Sequence, residues 1–338
     1  MTGQAWFIVG GAGFIGSHFT DALLADPQTR AVTLYDNFSS GREWHYKHHN
    51  HDRRLQIVRG EVADSRNLQA AMDGHDAVIH LASNPDIARA ATDPAIDFDE
   101  GTVLTKQVVE AMRMTSAKRL LYASGSGVYG DLGTVEGQED HGPLMPVSTY
   151  GASKLAGEAL LCSYSYMFGL SGCAFRFGNV VGPRQTHGVG FDFLRQLQEH
   201  PGTLRVLGNG TQSKSYIHVH DVVNAVLTAH RHTTDPFRAY NVATGDYITV
   251  REIAELAIEC AGLQRSRVEV EYTGGDRGWK GDVPVVRLNT DRIQSTGWQC
   301  VRTTREALKA AMESMREDGR AGLLWATPTQ SVSANARP

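Results

Sequence analysis

Apolar runs alternate with longer amphipathic stretches over the first 180 residues of this chain of 338. The apolar runs are nearly continuous, which is typical of strands buried on both faces of a sheet. They lie at 5–10, 31–36, 55–60, 76–82, 119–124 and 172–177. Apolar positions at helical spacing predict helices at 14–26, 66–73, 101–115 and 149–168. Strands that alternate with helices in this way predict a parallel sheet covered on both faces, and therefore an α/β fold.

The pattern of apolar positions loosens after about residue 180. Residues 183–197 are typical of a loop that leads into a helix, and residues 204–221 predict two strands around a Gly-Asn-Gly turn. A helix is expected at 220–231, and residues 240–262 predict a short strand, a turn and a helix.

These patterns predict a large first domain and a smaller second part. We place the domain over 1–180, with some later segments returning to it, and a smaller α/β lobe over 181–317. The residues from 318 to 338 are rich in Gly, Ala, Ser, Thr and Pro, which predicts a poorly ordered tail.

Composition and charge narrow the class of protein. A net charge of −4 gives no general attraction to nucleic acid or to an anionic membrane. The four cysteines have neither paired nor metal-ligand spacing, so reduced thiols are expected. No apolar run reaches the ~18 residues of a membrane span, and no secretory signal precedes the first strand. We therefore expect a cytoplasmic enzyme without membrane or nucleic-acid partners.

A glycine pattern after the first strand predicts a dinucleotide site. Gly10-x-x-Gly13-x-x-Gly16 follows an apolar strand and opens a helix, whose N-terminus can hold a pyrophosphate. Asp36 ends the next strand, where a carboxylate accepts hydrogen bonds from ribose hydroxyls. Its charge would repel a 2′-phosphate and no cation follows at once, although Arg42 lies further on; this favours NAD over NADP. The other cofactor candidates here are Phe14, Ile15, Asn37, Ser39, Glu61 and Val62.

Tyr150 and Lys154 form a candidate catalytic pair. They are four residues apart in a predicted helix and therefore share one of its faces. The ordinary pKa of a phenol is about 10. A nearby ammonium and an oxidised nicotinamide both favour the phenolate, which makes Tyr150 a usable base near neutral pH.

Several motifs resemble the extended short-chain dehydrogenase/reductase superfamily, in its NAD-dependent nucleotide-sugar epimerase/dehydratase branch. The resemblance runs from Phe7 to about Trp298, and its motifs are GGAGFIGSH, YDNFSSG, HLAS, VYG, YGASK, FRFGNVVGP, YIHVHD, YNVATG and RGWKGD. It implies a Rossmann-type doubly wound domain that binds NAD, and a smaller lobe that binds a nucleoside-diphosphate sugar. A UDP-sugar is the first expectation for that substrate. The resemblance also implies a homodimer through a four-helix bundle built from 101–115 and 149–168.

The resemblance assigns further site residues. Leu81, Ala82, Ser83 and Phe177 would line the nicotinamide half of the cofactor site. The candidate substrate residues of the second half are Asn179, Lys214, Tyr216, Arg277 and Asp282. Lys214 stands where family members usually have an arginine, and it would serve a phosphate as a point charge. Surface charge is the alternative interpretation of Lys214 and Arg277.

Two groups of loop residues stay open at this point. Arg184 and His187 could contact a sugar or lie in solvent, and Glu61 could contact the adenine edge or be a solvated strand-end charge. The histidines at 45, 48, 49 and 51 invite a metal hypothesis, but a solvated polar loop is the better interpretation of their spacing, and we expect no metal.

The segment YASGSGVYG at 122–130 bears on the reaction. Dehydratases and decarboxylases of the branch carry acidic residues just before Val-Tyr-Gly, where this chain has Ser126 and Gly127. Neither residue can act as a carboxylic acid, so epimerisation is favoured, most of all at C4, with Tyr150 serving in both directions. The alternatives are a dehydratase or reductase with an atypical site, and a non-catalytic NAD-binding homologue.

Two departures from the family pattern stand out. Epimerases usually have a Ser or Thr at the position of Gly125, so we expect Ser126, or else Ser124, to replace that hydroxyl. The sequence DFDEG at 97–101 replaces the common Asn-x-x-Gly before a dimer helix, and Asp97 or Asp99 is expected to cap that helix.

Overall fold

The computed structural model describes residues 3–84 and 87–325. Seven strands form one parallel sheet in the order β11-β6-β5-β4-β1-β2-β3. These strands are β1 Gln4–Val9, β2 Thr29–Asp36, β3 Leu55–Arg59, β4 Ala77–His80, β5 Arg119–Gly125, β6 Ser171–Phe177 and β11 Phe237–Val242. The smaller strands are β7 Asn179–Val181, β8 Thr203–Val206, β9 Ser213–Lys214, β10 Tyr216–His218, β12 Ile248–Thr249 and β13 Glu269–Tyr272.

Helices cover both faces of this sheet. They are α1 Phe14–Ala25, α2 Ser65–Met72, α3 Leu104–Met114, α4 Thr149–Phe168, α5 Val189–Glu199, α6 Val219–His232, α7 Val250–Cys260, α8 Asp291–Gln294 and α9 Thr304–Arg320. The side chains of β1 show the division: Trp6 and Ile8 enter a core with α1 and α6, whereas Phe7 and Val9 enter a core with α2, α3 and α4. This is the α/β Rossmann-type fold that the sequence predicts.

A second hydrophobic core lies among later elements. Phe193 of α5, Leu256 of α7 and Met312 of α9 are buried together, and β8 and β13 pair in parallel beside them. The sequence 204–221 does contain strands around the Gly-Asn-Gly turn, but they are not partners. β8 pairs with β13, while β9 pairs with β12 and β10 with β7.

The predicted tail begins later than expected. α9 runs to Arg320, and Trp325 packs against Phe191 with their ring centroids 5.4 Å apart. The residues directly after 318 are therefore held by apolar contacts with the second core. The remaining tail, 326–338, lies outside the described residues.

A π-helical turn, Phe98–Val103, precedes α3 where the sequence predicts the start of the helix. Asp97 stands at its N-cap position, but its side chain makes no capping hydrogen bond, and Asp99 is exposed. The predicted capping role of Asp97 is wrong, because its carboxylate has partners elsewhere.

Candidate active site

Glycines let β1 turn directly into α1. Gly10 has φ +80°, and a Cβ added there would lie 2.8 Å from the backbone nitrogen of Ala82. A Cβ at Gly16 would lie 2.6 Å from the carbonyl oxygen of Gly11. Gly13 is the N-cap residue of α1, where no side chain caps the helix and no acidic residue stands in the first turn. The N–H groups that open α1 therefore suit the pyrophosphate of a dinucleotide.

Asp36 lies beside this loop and is 8% exposed. Its Oδ2 accepts a hydrogen bond from the backbone N–H of Ala12 at 2.9 Å, and its Oδ1 accepts one from Phe38 at 2.8 Å. Burial raises the pKa of the Asp36 carboxyl. Each carboxylate oxygen keeps a further lone pair for a ribose hydroxyl. Asn37 donates to the exposed Glu61 carboxylate at 3.1 Å, so these two predicted cofactor residues lie together.

The other predicted cofactor residues lie on α1 or after the carboxyl ends of the same strands. Leu81 and Ala82 follow β4, and both of their backbone N–H groups donate to the carbonyl of Val9. Ser39 is exposed, with its N–H bonded to the Asn37 side chain at 3.0 Å. The buried or partly buried members are Phe14, Ile15, Val62 and Phe177.

Tyr150 and Lys154 lie in the first turns of α4, as predicted. Ser148 caps the helix by accepting a hydrogen bond from the Gly151 N–H at 3.1 Å. Lys154 is 3% exposed, and its Nζ donates to the carbonyl of Ala123 on β5 at 2.9 Å. The Nζ also lies 5.4 Å from the ring centroid of Tyr150. The ammonium is thus fixed between the end of β5 and the phenol.

Burial dominates the electrostatics of this pair. It raises the pKa of Tyr150 to about 12; the charge of Asp97 acts in the same direction, and a hydrogen bond with Ser83 opposes both. Burial lowers the pKa of Lys154 to about 8, and Asp97 opposes that shift. The two groups can exchange a proton with a substrate hydroxyl once a further positive charge lowers the pKa of the phenol.

The structure separates the two serines of YASGSGVYG. Ser124 is 4% exposed, and its hydroxyl donates to the Glu158 carboxylate at 2.5 Å. That carboxylate also forms an ion pair with Arg176 at 2.7 Å. Ser126 lies in a cleft beside Tyr129 and Arg287 and is only partly buried. Of the two candidates, Ser126 is therefore the more accessible one, because the Ser124 hydroxyl is buried against Glu158.

Three of the predicted substrate residues of the second half lie around a fourth, Asp282, which is 3% exposed. Lys214 forms an ion pair with it, the Gly278 N–H donates to it at 3.0 Å, and Arg277 donates to its backbone carbonyl. Tyr216 is 7% exposed and lies near the same carboxylate. Two cations therefore meet at one buried aspartate.

Asn179 and Arg277 have additional partners. Asn179 is exposed on β7 and donates to the carbonyl of Ser215 at 3.2 Å. Arg277 also pairs with Asp131, at 2.7 Å. Asp131 follows the VYG motif, so this ion pair ties the predicted substrate lobe to the loop after β5.

Arg184, which the sequence leaves open between a sugar contact and solvent, is bound by protein groups. Its guanidinium pairs with Asp21 on α1, bonds His18 at 2.8 Å and donates to the carbonyl of His45 at 2.9 Å. These contacts join the loop after β7 to α1 and to the loop after β2. His187 is exposed in the same loop as Arg184.

Three histidines of the loop after β2 make hydrogen bonds to α1 and to the loop before it. His48 and His49 both approach Oδ1 of Asp21, at 2.9 and 2.7 Å, which is the one metal-ligand grouping among the described residues. Arg184 already pairs with the other oxygen of Asp21. His45 is buried against the Ala12 carbonyl at 2.8 Å. The structure thus explains these side chains by hydrogen bonds and an ion pair.

Sequence reasoning missed one group of residues beside the catalytic pair. Asp97 is 1% exposed; it accepts hydrogen bonds from Asn84 at 2.9 Å and from Thr149 at 2.7 Å. The sequence signal for Asp97 was the departure from Asn-x-x-Gly, which suggested a cap. A second missed residue is Trp279, whose ring lies 5.0 Å from the Lys214 ammonium.

Within the described residues, no helix is both long enough and apolar enough to span a bilayer.

Comparison with known proteins identifies the family of this chain. Residues 6–243 match the NAD dependent epimerase/dehydratase family. A UDP-glucose 4-epimerase of Mycolicibacterium smegmatis is 31% identical over 317 residues, covering 91% of this chain and 97% of the relative. A dTDP-glucose 4,6-dehydratase of Actinoplanes sp. is 29% identical over 284 residues, covering 81% of this chain and 88% of the relative.

Solved structures of the same family have the same fold. A UDP-galactose 4-epimerase crystal structure superposes with a TM-score of 0.81 at 34% identity, covering 93% of this chain and 99% of the other. The Thermus thermophilus UDP-glucose 4-epimerase, solved with NAD, gives a TM-score of 0.81 at 28% identity with the same coverage. The predictions of an α/β fold, of NAD and of an epimerase are confirmed. The chain belongs to the NAD dependent epimerase/dehydratase family, and its cofactor is NAD.

Proposed function

We propose that this protein epimerises a nucleoside-diphosphate sugar at C4, with a UDP-sugar as the first candidate. The observation that carries the proposal is the strand end beside the Tyr150–Lys154 pair. The pair supplies a proton-transfer group, while Ser126 and Gly127 supply no carboxylic acid for elimination. Oxidation at one carbon followed by reduction on the opposite face needs no further acid or base.

The residues of this chain have separate tasks in that reaction. Bound NAD supplies a hydride acceptor and a positive charge. Tyr150 takes the proton of the sugar hydroxyl and returns it after the ketone has turned. Lys154, fixed to the Ala123 carbonyl at 2.9 Å, stabilises the phenolate and keeps it oriented. Ser126 is our candidate for the hydroxyl that bridges the phenol and the sugar.

The charges of the second half support a diphosphate substrate. Lys214 and Arg277 are the cations at this position, and Asp282 holds both of them in place. A diphosphate would replace these contacts in part, because a cation gains more from two phosphate charges than from one carboxylate. Asp282 would then be free to accept from a ribose hydroxyl. Trp279, 38% exposed beside Lys214, adds an aromatic surface.

Incubation of the purified protein with UDP-, GDP-, CDP- and TDP-sugars tests the proposal. We expect redox-neutral interconversion of two C4 epimers, followed by NMR, for at least one UDP-sugar. Release of water would favour the dehydratase alternative suggested by the Actinoplanes relative, and net NADH consumption would favour a reductase. Binding of NAD without turnover would favour a non-catalytic homologue.

Tyr150→Phe is the matched test of the catalytic assignment. It removes the phenolic oxygen, so we expect loss of epimerisation with NAD still bound. Tyr272→Phe is the control, since Tyr272 lies on β13 beside the second core and away from α4. Full activity of Tyr150→Phe would contradict the mechanism.

We also propose a homodimer through α3 and α4. Large apolar side chains are exposed on and next to these helices: Phe98 is 59% exposed, and Tyr166 and Met167 are 71% exposed each. Such a surface is typical of an interface. Sedimentation analysis of the wild type and of Met167→Asp tests this proposal.

Three expectations from the sequence remain proposals. The NAD-binding domain extends over 1–180 and the substrate lobe over 181–317, with β11 and α6 returning to the first domain. The protein is cytoplasmic, which its free cysteines support. Limited proteolysis and cell fractionation test them.

A further inference from the structure

A buried carboxylate joins the two segments that border the catalytic pair. Asp97 is 1% exposed. One of its oxygens accepts a hydrogen bond from the Asn84 amide at 2.9 Å, after the end of β4, and the other accepts one from the Thr149 hydroxyl at 2.7 Å. Thr149 is the first residue of α4, and Tyr150 follows it directly.

Asp97 is buried although the residues that follow it are exposed. The neighbours Phe98, Asp99 and Glu100 are all exposed, whereas Asp97 points inward at the start of the π-helical turn. π-helical turns are often found at functional sites. Burying a carboxylate is costly unless it is hydrogen-bonded, and here each oxygen has a donor. Asp97 therefore connects the π-helical turn to α4 through a fully hydrogen-bonded, buried carboxylate.

We propose that Asp97 is a positioning residue of the epimerase reaction: it holds the start of α4, and its charge balances the Tyr150–Lys154 pair. This inference rests on the proposed function. The hydrogen bond to Thr149 fixes the turn that carries Tyr150. The negative charge supports the ammonium of Lys154 in its buried site.

The charged and titratable groups around the pair give the direction of the charge effect. Within the part of the chain that the structure describes, they are Asp97 before the π-helical turn, His80 on β4, Tyr122 on β5 and Glu158 on α4. Burial keeps His80 neutral by lowering its pKa to about 3, and burial raises the pKa of Tyr122. Glu158 is neutralised by Arg176. Among the described residues, Asp97 is therefore the carboxylate whose charge acts on the pair, and it raises the pKa of both members.

Asp97→Asn removes the charge and keeps the shape. The amide can accept from Asn84 and donate to the Thr149 hydroxyl, so the two contacts persist with one direction reversed. The pKa of Tyr150 and that of Lys154 both fall when the negative charge is lost. We expect both limbs of the kcat/KM pH profile to move to lower pH by about one unit.

A spectroscopic titration gives a second readout. The ultraviolet absorbance of tyrosinate is followed against pH in the NAD complex, with Tyr150→Phe as the blank. The Tyr150 signal should move to lower pH in Asp97→Asn by the same amount as the acidic limb. Asp99→Asn is the matched control, because it removes an exposed charge two residues away and should leave both readouts unchanged.

The outcomes separate this inference from the proposed function. The charge role would be overturned if folded Asp97→Asn has a lower kcat but its pH profile and its tyrosinate titration are both unmoved. A wild-type protein that epimerises no sugar refutes the proposed function, while the tyrosinate readout still tests Asp97. If Asp97→Asn does not fold, Thr149→Val takes its place. It should lower kcat about tenfold with unmoved limbs, and an unchanged kcat would overturn the positioning role.

Discussion

Gly125 is the residue at which this active site departs most from the epimerase pattern. Its backbone is extended, with φ −159° and ψ 164°, a conformation that any residue adopts. A Cβ added there would have Tyr150 Cε1 as its nearest neighbour, at 3.9 Å, which is ordinary van der Waals contact. Neither backbone nor space therefore requires glycine. What is missing is a hydroxyl next to the catalytic phenol.

Gly125→Ser should raise kcat, by about tenfold, because it adds one positioned donor beside Tyr150. Steady-state kinetics on the substrate found in the sugar panel measures the change. Gly125→Ala is the control, since it adds the Cβ without the hydroxyl. An equal gain in the alanine variant would show that the effect arises from packing.

Ser126→Ala and Ser124→Ala should have different consequences. Ser126 lies in the cleft, so its loss should lower kcat about tenfold with unchanged stability. Ser124 donates to the buried Glu158 carboxylate, so its loss should lower the free energy of unfolding by about 1–3 kcal/mol. Kinetics and denaturant unfolding of both variants measure this. A larger loss of kcat in Ser124→Ala would reverse the assignment.

At the scale of elements, the sequence predicts the sheet better than the second half. Strands such as 172–177 are apolar throughout, and the structure has β6 at Ser171–Phe177. The sequence also predicts the Gly-rich turn and the Tyr-x-x-x-Lys helix, because both depend on residues only a few positions apart. The sequence does not predict which strand pairs with β8, since the residues of a short strand do not specify the sheet edge that it joins. Asp97 was seen only as a cap because its real partners lie 13 and 52 residues away.

The junction of β1 and α1 gives a prediction at this scale. Gly16→Ala should weaken NAD binding and lower Tm, because its Cβ would lie 2.6 Å from the Gly11 carbonyl and push α1 away from the loop. Gly13→Ala is the comparison: its nearest neighbour would be the Gly10 carbonyl at 3.3 Å, and its φ of −78° suits alanine. It should weaken NAD binding with little change in Tm. Calorimetric titration with NAD and thermal unfolding distinguish the two, and equal Tm values would contradict the packing argument.

At the scale of the whole molecule, the chain crosses between its two cores more than once. β11 and α6 come from beyond residue 200 and complete the sheet and its α1 face. The Arg277–Asp131 ion pair and the Lys214–Asp282 pair then hold later segments against the strand ends. A substrate between them would therefore contact both parts, which fits binding at the carboxyl ends of parallel strands.

Several histidines of the molecule are buried, and their burial predicts how its stability responds to acid. Burial lowers the pKa to about 3 in His18 and His80 and to about 4 in His45, His218 and His230. Among the described residues, one ring nitrogen in each of His45, His80 and His230 is buried without a hydrogen-bond partner. A protonated imidazole needs acceptors for both nitrogens, so the folded state resists taking up these protons.

The free energy of unfolding should therefore fall as the pH drops below about 6.5. Below that value the unfolded chain binds protons on these histidines and the folded chain does not, so stability decreases with each step toward pH 4. We expect a loss of about 1 kcal/mol per histidine for each pH unit. Denaturant unfolding at a series of pH values measures it. His230→Gln should reduce the slope of unfolding free energy against pH by the contribution of about one proton. His51→Gln, which replaces an exposed histidine, should leave that slope unchanged. Equal slopes in all three proteins would mean that the buried histidines do not control acid stability.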